Sequence, residues 1–68
     1  MLNEIKPGTK FRYLGGLCPG SQIGTVVTFE KVVGDDNSHA QVSFQYSQYS
    51  QIVMSIHESL FREHFTFA

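Results

Sequence analysis

Apolar and polar residues alternate with a period of two along most of this chain, and no window of eleven or more residues repeats at the i, i+3, i+4, i+7 spacing of an amphipathic helix. Lys10 to Leu14 places Phe11 and Tyr13 on one face and Lys10 and Arg12 on the other, which predicts a half-buried strand. The preceding Lys6-Pro7-Gly8-Thr9 has proline and glycine at the two central turn positions, the pairing of a type II turn. Thr25 to Val33 is the strongest β window. Its alternation fails at Val26-Val27 and again at Val32-Val33, so a bend or bulge is expected partway, letting both valine pairs reach the interior.

Gly34 to Ser38 reads as a reversing turn, after which Ala40, Val42, Phe44 and Tyr46 alternate with His39, Gln41, Ser43 and Gln45. Phe44, at the centre of that run, is expected in the core. The doublet Tyr46-Ser47-Gln48, Tyr49-Ser50-Gln51 predicts a second turn, followed by a fourth strand in which Ile52, Met54 and Ile56 share a face. His57 to His64 carries one or two turns of helical tendency before a last strand, Phe65-Thr66-Phe67. The reading is a mostly β, single domain over residues 1–68, with five strands and one short helical turn.

Between the first two strands, Gly15 to Gly24 holds four glycines and a proline, too many for a central strand, and predicts a long ordered loop with Leu17, Cys18 and Ile23 folded back on the sheet. Cys18 is the single cysteine, so no intramolecular disulfide can form, and a reduced thiol favours the cytoplasm. His39, His57 and His64 show no metal-ligand spacing, and no metal or cofactor is expected. No apolar stretch reaches the ~18 residues of a membrane span, and MLNEIKPGTK lacks the apolar core of a secretion signal.

The 68 residues form a chain near the lower limit for a single core, burying on the order of 60% of its surface. Five basic residues against six acidic give a net charge of -1, with no global pull toward phosphate or anionic membranes. Catalysis needs a nucleophile, a base or a metal oriented by a third group; among Cys18, three histidines and six carboxylates no recognisable set forms, and a Cys18–His57 dyad is the candidate weighed. It is set against the simpler reading of a packed cysteine and surface histidines, and no enzyme is expected.

Pro7-Gly8-Thr9-Lys10-Phe11-Arg12-Tyr13 followed by Ile23-Gly24-Thr25-Val26-Val27 resembles the opening of KOW-like and Tudor-like members of the SH3-like barrels. The order of the remaining elements is similar too. The resemblance implies a small five-stranded barrel that binds a ligand and catalyses nothing. With no tryptophan, the proline-peptide groove of signalling SH3 domains lacks its lining residue. Two functional expectations follow. The first is a protein-interaction module or small accessory or inhibitor protein, contacting a partner protein or a second copy through Tyr13, Tyr46, Tyr49 and Met54, because Gln45 to Ile56 carries no lysine, proline or charge to protect a sheet edge. The alternative is a nucleic-acid-binding barrel, with Lys6, Lys10, Arg12 and Lys31 on phosphates and Tyr13 or Tyr49 stacked on bases.

Overall fold

The computed structural model describes residues 2–17 and 22–68, with Tyr46 described in its backbone alone. A 3₁₀ turn, Leu2–Glu4, leads to β1 (Lys10–Tyr13), β2 (Val26–Val33), β3 (His39–Ser47), β4 (Ser50–His57), α1 (Glu58–His64) and β5 (Phe65–Phe67). The strands form one antiparallel sheet in the order β4-β3-β2-β1-β5. The five strands and the helical turn fall where the polar-apolar pattern places them. The 3₁₀ turn has no counterpart in that reading, and its Leu2 is buried in the core.

The Pro-Gly turn aims the chain into β1. Gly8 adopts φ +93°, and Thr9 N–H donates to the Lys6 carbonyl at 3.1 Å, closing the four-residue turn. Gly8 N–H also donates to the Phe29 carbonyl, and Phe29 N–H to the Thr9 carbonyl, each at 2.8 Å, so the turn extends the β1–β2 ladder.

The broken alternation of β2 has a local cause. Phe29 faces Val42 and Lys31 faces Gln41, which leaves Glu30 as the extra residue of a bulge. Before it Val27 and Phe29 point inward, and after it Val32 does, opposite Ala40. One valine of each pair therefore reaches the core, and not both as the sequence suggests: Val26 is 45% exposed, and Val33 sits on the outer face opposite His39.

The core gathers Phe11, Phe29, Val42, Ile56, Phe61 and Phe65 between the inner sheet face and α1. Phe61 is its hub, with its ring edge-on to Phe11 at 4.7 Å and stacked on Phe65 at 5.2 Å. Phe44, expected in the core, packs against it without being fully enclosed. It shares the inner face with Ala40 and Val42 but is half-buried, because the β2–β3 pairing ends at Thr28 opposite Ser43 and leaves Phe44 covered along the sheet by Ile52 of β4 alone. Val42, fully buried opposite Phe29, takes the central place.

The sheet is compatible with a small barrel-like fold and is not closed into a barrel. β4 and β5 lie at its two ends and do not pair with each other. α1 separates them in the chain and packs against β3, β4 and β5.

Candidate interaction surface

β4 is an edge strand along its full length, paired with β3 on one side and with no strand on the other among the described residues. From Ser50 to Ile56 it carries no charge and no proline, so its outward N–H and C=O groups stand without the usual protection. Val53, opposite Ser43, is 58% exposed on the outer face. At the hairpin tip the β3–β4 register shifts between Gln45 and Ser47, and Gln48 and Tyr49 make the turn. Tyr49 stands 88% exposed there, its backbone N–H donating to Ser47 Oγ at 3.3 Å.

The residues singled out in the sequence separate into different environments. Tyr49 belongs to the exposed tip. Met54 lies on the inner face opposite Val42, half-buried against the core, so part of its side chain is already committed. Tyr13 is corrected from contact residue to core residue: it is buried against Phe65 at 5.2 Å, and its hydroxyl accepts the Leu17 N–H at 2.8 Å. That bond ties down the start of the Gly-rich loop, where Leu17 packs on the core as expected; Ile23, 76% exposed, does not. The Tyr46 side chain and Cys18 lie outside the described residues.

The basic residues do not converge on an aromatic platform. Lys10 and Arg12 project from the outer face of β1, and Lys10 Nζ donates to Thr28 Oγ1. Lys31 follows the Glu30 bulge on β2, opposite Gln41, and Lys6 lies in the Pro-Gly turn. Between them, Glu30 accepts from Ser43 Oγ at 2.7 Å, setting a carboxylate into the same outer face. Tyr49 is on the hairpin of the far edge strand.

Two features escape the sequence reading. A groove bordered by Leu2, Ile5, Lys6 and Arg62 runs beside β5, floored by Phe11 and by Phe67, whose rings stack at 4.8 Å while Phe67 remains 70% exposed. The Phe-Thr-Phe alternation was its one sequence signal. The other is a polar cluster where β4 enters α1. There His39 and His57 face each other across β3 and β4, and Ser38 Oγ donates to Asp36 Oδ1 at 2.6 Å. The Ser38 hydroxyl bond is the main cause that holds the Asp36 carboxyl below its ordinary range. No group of three or more His, Cys, Asp or Glu among the described residues is placed to hold a metal ion. No described helix is long and apolar enough to cross a membrane.

Searches of protein-family models, of curated proteins and of solved structures found no match to this chain.

Proposed function

We propose that this chain is a non-enzymatic protein-interaction module that docks a partner protein through β4. The observation that carries the reading is the uncharged, unprotected edge of β4 running into the exposed Tyr49 at its tip. An extended partner segment added there as a sixth strand gains a row of main-chain hydrogen bonds, with specificity supplied by side chains at alternate positions. Val53 offers outer-face apolar surface to such a segment, and Tyr49 an amphipathic ring of low conformational cost. The strand order, with its helical turn before β5, supports the resemblance to SH3-like barrels, a fold used widely for binding. The nucleic-acid reading has weaker support, because Tyr13 is buried and the outer face that carries Lys10, Arg12 and Lys31 also carries Glu30.

The test is Tyr49→Lys combined with Gln51→Lys, both at exposed positions where a lysine reaches water. Capture from the source cell followed by mass spectrometry should recover a stoichiometric partner with the wild type and lose it with the double variant, at unchanged circular dichroism. Equal capture by both proteins overturns the reading. Retained binding to oligonucleotides that falls steeply with added salt would favour the phosphate-binding alternative instead.

A further inference from the structure

We propose that His57 is a pH-sensitive latch joining β4 to α1, closed while its imidazole is neutral. This inference rests on hydrogen-bond geometry and stands apart from the docking of β4. His57 is the last residue of β4 and the N-cap of α1. It faces His39 in the β3–β4 register, with the two rings edge to face and their centroids 5.3 Å apart.

The neighbouring hydroxyls assign the proton on each ring. Ser38 gives its hydroxyl proton to Asp36, so its oxygen accepts from the Nδ1–H of His39, 3.1 Å away. At His57 the polarity is reversed. Its Nδ1 accepts the backbone N–H of Ser59 at 3.2 Å, with Ser59 Oγ 2.9 Å away, so the closed, neutral ring carries its proton on Nε2.

A second proton can enter His57 only at Nδ1, and it abolishes the acceptor that caps the helix. The Ser59 N–H is then left without that partner, and a cation stands at the positive end of α1 and beside His39. The charged groups that the contacts place around the pair are Asp36, reached through Ser38, and Glu58, paired with Arg62 at 3.6 Å. Neither carboxylate replaces the lost acceptor. Glu58 N–H donates to the Ser38 carbonyl at 2.8 Å, so opening the first turn of α1 also releases the β2–β3 turn, and Phe61 lies one turn further in. Asparagine, the commoner cap, would hold the same N–H with no dependence on pH.

Two measurements on the whole chain test the latch. Imidazole ¹⁵N spectra at neutral pH should show His57 as the Nε2–H tautomer and His39 as the Nδ1–H tautomer. Exchange of the Ser59 amide, corrected for its intrinsic rate, should lose protection by up to about tenfold per pH unit as His57 takes up one proton, whereas His57→Asn should show no such loss. An Nδ1–H tautomer at His57 in the neutral protein, or the same acid loss in His57→Asn, overturns the proposal. The tautomer measurement and the wild-type exchange profile need no variant, and either can overturn the proposal whatever the stability of the substituted chain.

Discussion

Phe61→Ala removes the side chain through which α1 holds the sheet. The ring is buried, meets Phe11 edge-on at 4.7 Å, stacks on Phe65 at 5.2 Å and lies 6.4 Å from Phe29. Truncating a core phenylalanine costs about 3–5 kcal/mol, the transfer of the lost atoms plus the cavity left behind. The placement of Phe61 argues for the upper part of that range, since three aromatic neighbours on β1, β2 and β5 cannot all collapse into one space. A 68-residue domain has about 3–10 kcal/mol of total stability, so the variant should be largely unfolded at room temperature or melt at least ~12 °C lower. Thermal unfolding followed by circular dichroism makes the measurement, with two controls. Half-buried Phe44→Ala should cost about 1–2.5 kcal/mol, and Leu60→Ala, at a 38% exposed site on the same helix, under about 1 kcal/mol. A cooperative transition in Phe61→Ala within about 1 kcal/mol of wild type, or a larger loss in Phe44→Ala, would refute a core centred between α1 and the inner sheet face.

A Cβ on Gly8 meets nothing within 4 Å, so Gly8→Ala isolates the backbone cost of φ +93°, about 1–2 kcal/mol in denaturant unfolding; a loss under ~0.5 kcal/mol would mean that the turn relaxes to another type. Because the Asp36 carboxyl is held below its ordinary range in the folded chain, it contributes stability above the unfolded-state value that is lost as pH falls through the folded one. Ser38→Ala should therefore move the Asp36 midpoint upward in a carboxyl ¹³C titration, and an unmoved midpoint would assign the shift to the lesser causes, the backbone hydrogen bonds and the His39 charge. The lysine substitutions at Tyr49 and Gln51 and the His57→Asn exchange test the docking edge and the latch as described above.

What the amino-acid order determined by itself was local. Pro7-Gly8 sets a turn because one residue fixes φ near -65° and the next accepts a positive φ, and alternation sets strands because successive side chains leave a strand on opposite faces. Even the β2 bulge was legible, as a change in which valines alternate. Tertiary structure decided every property that depends on what lies opposite. Tyr13 and Tyr49 are alike as residues; one is sealed under the loop that donates to its hydroxyl, and the other stands at a hairpin tip. Phe44 and Val42 share one face of one strand, and the end of the β2–β3 ladder, a long-range pairing, separates half-buried from buried. Sheet closure depends on whether β4 finds β5, and the pairing order leaves those two strands at opposite ends of the sheet. His57 reads as a strand-end histidine until the fold makes it the cap of α1 and sets His39 across from it, because the cap bond is local in sequence whereas the β3–β4 pairing that joins the two rings is long-range.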